Sequence, residues 1–268
     1  MIDLQSAEGD ALLLDALGRK PLLALDFDGT LSPLVPQPSD AAMDPRVPPL
    51  LEPLKATMPV AIVSGRGIVD LAARVPIEGL DLVGNHGNEW GQDNDEDGQE
   101  PSAAQARQAQ QRQVCVEWAA ELAAPLAEMG DGIAFETKSV SLSIHYRLMK
   151  SPEQARLKLL GLIGALRPPP EIIEGKFVLN LMAPGLVTKF EAIEELQARR
   201  QTGTVIFVGD DVTDERVFER APADWLTVRV WDHEANPSRE RSAARCFVQG
   251  VDGVVELLGR MGRLSRNL

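Results

Sequence analysis

Short, predominantly apolar runs recur along the chain, and each one ends in a cluster of polar residues. Four of them cover residues 22–25, 60–63, 80–83 and 205–208. Runs of this length that are apolar at successive positions are typical of strands buried on both faces of a sheet. The pattern therefore predicts four buried strands, each followed by a polar loop.

Helical periodicity separates these runs. It covers residues 50–56, 68–75 and 190–200, and in the last segment Phe190 and Ile193 lie on one stripe. Alternation of strands and helices implies right-handed crossovers and a mainly parallel α/β sheet. Ligands of such sheets bind beyond the carboxyl ends of the strands, so we expect the four polar clusters to meet at one edge.

The middle of the chain breaks this alternation. An acidic, turn-rich stretch over 92–101 precedes a helical pattern, a hairpin pattern, a second helical pattern and a strand pair, over residues 102–124, 132–147, 153–166 and 172–182. This order predicts a small α+β domain at 92–184. It is inserted into an α/β core formed by residues 1–91 and 185–268, with hinges near Gly91 and Pro184.

Composition narrows the class of protein. The net charge is −13 and aromatic residues make up 4% of the chain, which argues against nucleic acid and anionic membranes as partners. Cys115 and Cys246 lie far apart and form no metal-binding spacing, and no basic leader or long apolar run is present. We expect a globular protein of the cytoplasm; the sequence leaves its oligomeric state open.

Carboxylates dominate the polar clusters. Asp26 and Asp28 follow the first buried run, and Asp210, Asp211 and Asp214 follow the last. Converging carboxylates without thiolates or histidine pairs suit a hard cation, Mg²⁺ before Ca²⁺. Because Mg²⁺ is usually held by one or two carboxylates together with a substrate phosphate, these clusters indicate phosphate chemistry. In such chemistry one aspartate can attack phosphorus while another transfers protons.

The motifs DFDGT, SGR, a lone lysine entering a helix and GDDVTDE resemble the four ordered motifs of haloacid dehalogenase (HAD) phosphatases. The resemblance implies that Asp26 is the nucleophile and Asp28 the general acid/base. It implies Mg²⁺ ligands from Asp26, the backbone carbonyl of Asp28 and Asp210. The phosphate-binding and supporting residues that it implies are Ser64, Gly65 and Lys189, then Thr30, Asp211 and Asp214, the last holding Lys189.

Three longer segments, 84–89, 136–147 and 174–192, are similar to trehalose-6-phosphate phosphatases. The resemblance implies a HAD-like Rossmannoid core, an α+β cap that closes over it, and hydrolysis of trehalose 6-phosphate through an aspartyl-phosphate. It implies sugar contacts from Glu136, Lys138 and Lys176. We also expect substrate contacts from Arg66, His86, His145, Arg147 and Asn180. The alternative is a plain loop role for His86 and a solvent-facing role for His145, Arg147 and the three sugar-contact residues.

The chain departs from the family pattern at four places. Asn180 stands where the family usually has glutamate, Met182 where it has a basic residue, and Phe190 where it has glycine. Residues 230–232 read Val-Trp-Asp instead of the usual Val-Gly. These departures concern the identity of the sugar, so a phosphatase of another sugar or polyol phosphate is the nearest alternative. A phosphotransferase or mutase that uses the same aspartyl-phosphate, and a non-catalytic sugar-phosphate-binding protein, also stay open.

Overall fold

A computed structural model describes residues 1–35, 38–91, 103–137, 140–175, 177–231 and 242–265. The chain divides into two compact units: a core unit of Met1–Asp95 and Val187–Leu268, and an insert unit of Glu96–Leu186. Within the described ranges, no helix combines the length and the apolar character needed to cross a bilayer.

The strands are β1 (Ile2–Asp3), β2 (Pro21–Leu25), β3 (Val60–Val63), β4 (Asp81–Gly84), β5 (Glu89–Trp90), β6 (Ala134–Thr137), β7 (Ser141–His145), β8 (Glu171–Gly175), β9 (Val178–Met182), β10 (Thr204–Gly209), β11 (Leu226–Trp231) and β12 (Cys246–Gln249). The α-helices are α1 (Ala7–Gly18), α2 (Pro48–Lys55), α3 (Ile68–Arg74), α4 (Ala103–Glu128), α5 (Pro152–Ile163), α6 (Lys189–Arg200), α7 (Val212–Arg220) and α8 (Gly250–Leu264).

The core unit is built on one sheet with the order β1-β12-β11-β10-β2-β3-β4-β5. Its neighbouring strands pair in parallel, except β4 and β5, which are antiparallel. The residues of β2, β3 and β10 are all buried, as expected of strands covered on both faces. The predicted mainly parallel α/β core is confirmed.

The insert unit contains an antiparallel sheet with the order β6-β7-β9-β8 and the helices α4 and α5. Trp118, Leu142, Leu159 and Leu181 belong to its own hydrophobic core. The predicted succession of helix, hairpin, helix and strand pair is confirmed. Helix α4 continues past the expected end at residue 124 and through Pro125, because Leu126 continues the buried stripe of the helix.

Strand register brings the predicted polar clusters to one edge of the core sheet. Leu25 lies opposite Val208 on one side and Ile62 on the other. The residues that follow β2, β3 and β10 are Asp26, Ser64 and Asp210, so the three loops begin side by side. Helix α6 begins at Lys189, one residue earlier than expected, because Thr188 and Glu191 form a capping box at its start.

Candidate active site

Lys189 joins two aspartates, Asp26 just after β2 and Asp214 in the first turn of α7. Its Nζ donates to Asp26 Oδ1 at 2.6 Å and to Asp214 Oδ1 at 2.8 Å. The lysine side chain is 2% exposed. Burial alone would lower the pKa of Lys189, but the carboxylates of Asp26 and Asp214 raise it above its usual range. Lys189 therefore carries a fixed positive charge beside Asp26.

Asp214 organises the loop that follows β10. Its Oδ2 accepts hydrogen bonds from the backbone N–H groups of Asp210 and Asp211, at 2.9 and 3.0 Å. Asp211 caps α7 in return, since its Oδ1 accepts from the Asp214 N–H at 2.9 Å. Both oxygens of Asp214 are thus engaged by N–H donors, which fits a supporting role better than a ligand role.

The arrangement fits a divalent metal ion. One carboxylate oxygen from each of Asp26, Asp210 and Asp214 lies within 4.8 Å of the others. Among the described residues, the buried Oδ1 of Asp210 and the buried Oγ1 of Thr30 have no hydrogen-bond partner. Gly29 has φ +78°, and a Cβ on it would overlap the Asp210 carboxylate, so only glycine lets the two loops approach. With Asp214 supporting the loop, the carboxylate oxygens of Asp26 and Asp210 are the donors able to hold a hard cation.

The crowded carboxylates predict a pH-dependent stability. Burial, together with the charges of Asp26 and Asp214, raises the pKa of Asp210 to about 8. A group whose pKa is raised by folding contributes stability that is complete below its unfolded pKa and lost as pH rises through its folded pKa. The free energy of unfolding of the metal-free protein should therefore fall between about pH 4 and pH 8.

We expect Asp210→Asn to remove much of this loss. In EDTA at pH 8 the variant should be more stable than wild type by roughly 1–3 kcal/mol, because a buried repulsive charge is gone. Mg²⁺ should raise the melting temperature of wild type and leave that of the variant unchanged. Thermal unfolding from pH 5 to pH 8.5 measures both effects, and a variant less stable than wild type in EDTA at pH 8 would contradict the prediction.

Asp28 is held by Arg66. The guanidinium forms two hydrogen bonds with its carboxylate, Nε to Oδ2 and Nη2 to Oδ1, both at 2.7 Å. Nη1 of Arg66 also donates to Asp70 Oδ2 at 2.7 Å, and the guanidinium lies 5.6 Å from the centre of the Phe27 ring. This bidentate pair fixes the plane of the Asp28 carboxylate. A role of Arg66 in substrate binding stays a prediction.

The loop after β3 lies beside an unusual turn. Ser64 is fully buried, and its carbonyl accepts from the backbone N–H of His86 at 2.9 Å. His86 adopts a left-handed conformation with φ 55°, and a Cβ on Gly65 would lie 2.5 Å from its Cε1. Burial lowers the pKa of His86. Its buried Nδ1 has no partner among the described residues, so a neutral imidazole with a spare polar atom stands beside the SGR loop.

In the insert unit, several predicted sugar contacts share one sheet face. Glu136 on β6 lies opposite Ser143 on β7, which lies opposite Asn180 on β9. The Ser143 hydroxyl donates to Asn180 Oδ1 at 2.8 Å, and His145 Nε2 lies 3.8 Å from Glu136 Oε2. Arg147 is exposed just beyond β7. Lys138 and Lys176 lie outside the described residues.

One buried residue of the site was not found from the sequence. Arg229 on β11 is 8% exposed, and its Nη1 donates to the backbone carbonyl of Asp211 at 3.1 Å and to Glu215 Oε2 at 3.2 Å. It thus supports the loop that carries Asp210. The signal was present, because an arginine inside the otherwise buried strand LTVRVW needs a buried partner.

A cavity of about 670 Å³ opens beside this loop within the core unit. Asp210, Asp211, Val230 and Trp231 are among its lining residues. Trp231, one of the departures from the family pattern, therefore lies at the wall of a space that also borders Asp210.

Comparison with known proteins gives a consistent result. The family model described as trehalose-phosphatase matches residues 24–251. The chain is 30% identical over 239 residues to an uncharacterized glycosyl hydrolase of Mycobacterium tuberculosis, covering 85% of this chain and 17% of the relative. It is 30% identical over 261 residues to a trehalose-phosphate phosphatase of the same species, covering 95% of this chain and 64% of that protein.

The chain thus spans about a sixth of the length of the glycosyl hydrolase and just under two thirds of the length of the phosphatase. Among solved structures, a trehalose-6-phosphate phosphatase of Aspergillus fumigatus matches with a TM-score of 0.63 and 27% identity. That match covers 98% of this chain and 99% of the fungal one. The α/β fold with an inserted α+β domain, expected from the sequence, is therefore the fold of this fungal phosphatase.

Proposed function

Because this chain belongs to the trehalose-phosphatase family, we propose that it hydrolyses trehalose 6-phosphate to trehalose and phosphate. We further propose an aspartyl-phosphate on Asp26 and Mg²⁺ as the cofactor. One observation carries the proposal: the ammonium of Lys189 contacts the buried carboxylate of Asp26, and close by lies an oxygen of Asp210 that no described residue engages. A phosphoryl group needs such a combination of nucleophile and positive charge.

The first step is attack of an Asp26 carboxylate oxygen on phosphorus. The new bond joins that oxygen to phosphorus while the bond from phosphorus to the sugar oxygen breaks. The leaving alkoxide takes a proton from Asp28. In the structure both oxygens of the Asp28 carboxylate accept hydrogen bonds from Arg66, so Arg66 has to release one of them before that oxygen can carry the proton. Water then attacks phosphorus and gives a proton to Asp28, while the bond between phosphorus and the Asp26 oxygen breaks. Phosphate leaves, and the Asp26 carboxylate is restored.

Charge neutralisation supports both steps. The Lys189 ammonium, held by Asp26 and Asp214, is in place to meet a phosphoryl oxygen at the attacked group. When bound, a divalent cation supplies Lewis-acid charge to the phosphoryl oxygens. The net charge of −13 opposes an anionic substrate at long range, but distant charges are screened within about 8 Å at physiological salt. Local cations therefore decide binding.

Two departures from the family pattern, Phe190 and Asn180, have different surroundings. Phe190 packs at 5.5 Å from Trp225, between ring centres, and lies under the Arg220 guanidinium, so this departure serves packing. Asn180 presents a neutral amide, engaged by Ser143, where a carboxylate would accept stronger hydrogen bonds from hydroxyls. A phosphatase of a different sugar or polyol phosphate is the second candidate function, and this observation favours it.

A phosphate-release assay separates these possibilities. Trehalose 6-phosphate, glucose 6-phosphate, other sugar phosphates and polyol phosphates are offered with Mg²⁺ and with EDTA. We expect the highest kcat/KM for trehalose 6-phosphate and no turnover in EDTA. A higher value for another substrate would transfer the proposal to that substrate. Tight binding of sugar phosphates without any turnover would contradict a catalytic role.

We also propose that the protein acts in the cytoplasm. Cys115 and Cys246 support this location, because both are buried and unpaired in the structure, as thiols of a reducing compartment are.

A further inference from the structure

Asn88 links two segments of the core unit that are 99 residues apart in the chain. Its Nδ2 donates to the carbonyl of Val187 at 2.8 Å, and its Oδ1 accepts from the N–H of Val187 at 2.8 Å. Nδ2 also donates to the carbonyl of Asn85 at 3.0 Å. The side-chain amide therefore pairs with Val187 through both backbone groups, as a neighbouring strand would, and it is only 5% exposed.

The turn that carries Asn88 is itself tightly constrained. Asn85 and His86 have φ values of 46° and 55°, and Gly87 has φ 115°. Left-handed backbone at residues other than glycine costs roughly 1–3 kcal/mol each and persists only where the surroundings enforce it. A Cβ on Gly87 would lie 2.8 Å from the carbonyl of Thr188, so the turn is pressed directly against the segment that Asn88 binds.

The segment bound by Asn88 carries the ammonium of the site. Val187 is the first residue of the core unit after the insert, and Lys189 follows two positions later. Thr188 between them caps α6, in a capping box with Glu191. Both residues before Lys189 are therefore held by side-chain hydrogen bonds, Val187 by Asn88 and Thr188 by Glu191.

We infer that Asn88 is a positioning residue for Lys189: its paired hydrogen bonds to Val187 fix the start of α6, and with it the ammonium beside Asp26. This inference rests on the proposed function, in which Lys189 neutralises the phosphoryl group. Displacement of a catalytic group by about 1 Å can cost about 10²-fold in rate. We call the two hydrogen bonds between Asn88 and Val187 the clasp. Loss of the clasp should thus lower the catalytic rate more than the stability.

Asn88→Ala tests the inference, with Gln197→Ala as a matched control. Gln197 is also an amide side chain, and it ties the other end of α6 by accepting from Trp225 Nε1 at 3.1 Å. Asn88→Ala removes three side-chain hydrogen bonds, two of them to Val187 just before α6, and Gln197→Ala removes the bond to Trp225 from within α6. We expect Asn88→Ala to lower kcat by about 10–100-fold and Gln197→Ala to leave it within twofold of wild type.

A second measurement needs no turnover. Beryllofluoride, a mimic of the phosphoryl group, is titrated into the protein with Mg²⁺ in a calorimeter. We expect its affinity to fall at least tenfold in Asn88→Ala and to stay unchanged in Gln197→Ala. Equal affinity in wild type and Asn88→Ala, or equal losses in both variants, would overturn the inference. If wild type hydrolyses no sugar phosphate, the proposed function fails, whereas the beryllofluoride comparison tests the inference without any turnover.

Hydrogen exchange of the wild-type protein provides a test that does not depend on how a variant folds. The Val187 N–H donates to a side chain that is itself buried, so it should exchange as slowly as amides of the parallel sheet. Exchange at the rate of an exposed loop would show that the clasp does not hold α6, and the inference would be withdrawn.

Discussion

Asp26→Asn is expected to lower kcat for phosphate release by roughly 10⁴-fold or more, the range found when an enzyme loses its nucleophile. An amide oxygen is not an anionic nucleophile, so no acyl phosphate forms at this position. The fold should persist, because the amide oxygen can still accept the hydrogen bond that Lys189 Nζ donates to Asp26 Oδ1. Phosphate release at saturating Mg²⁺ and thermal unfolding measure the two effects.

Asp15→Asn is the control for this substitution. Asp15 undergoes the same chemical change on the exposed face of α1, where it pairs with Arg19 at 2.9 Å. Its removal should leave kcat unchanged, since exposed ion pairs contribute little. Borohydride reduction during turnover adds a direct test, because it reduces an acyl phosphate but not a free carboxylate. Modification of Asp26 in wild type is expected; retained Mg²⁺-dependent turnover in Asp26→Asn would refute the nucleophile assignment.

The core sheet was predictable where its strands are buried on both faces. Residues 22–25 and 205–208 gave uninterrupted apolar runs, and the structure places them in β2 and β10. The two-residue strand β1 is too short to produce a periodic signal. Helix α8 was missed although its buried Val254, Leu257, Leu258 and Met261 form a clear helical stripe. That helix could have been predicted from the sequence.

In the candidate site, the sequence predicts which residues follow a strand but not which side chains from distant segments pair. The positions of Asp26 and Asp210 at strand ends follow from the hydrophobic pattern, because parallel strands place their carboxyl ends at one edge. The pairing of Asp28 with Arg66 depends on how two loops approach after folding. The clasp of Asn88 on Val187 joins residues 99 positions apart. No periodicity encodes such side-chain contacts, so only the three-dimensional structure shows them.

Lys189→Met is expected to lower the free energy of unfolding by about 3–5 kcal/mol in addition to abolishing turnover. The substitution leaves Asp26 and Asp214 buried without the cation between them. Isolated buried carboxylates are costly because the interior replaces the water that would solvate them. Urea unfolding of the metal-free protein at pH 8 measures the loss.

The size of this loss should depend on pH in a defined direction. Burial, opposed by Lys189, already raises the pKa of Asp214 to about 7, and burial raises the pKa of Asp26 as well. Without the lysine both pKa values rise further, so both groups take up protons more readily in the folded state. The penalty of Lys189→Met should therefore be largest at pH 8 and shrink as pH falls towards 5.

Lys55→Met is the matched control for this prediction. Lys55 pairs with Glu52 at 2.7 Å on the partly exposed surface of α2, and such a pair contributes at most about 1 kcal/mol. Its substitution should change stability little at any of these pH values. If Lys189→Met cost no more than Lys55→Met at pH 8, the buried carboxylates would not need the ammonium. The charge balance on which the proposed phosphatase depends would then have to come from other groups.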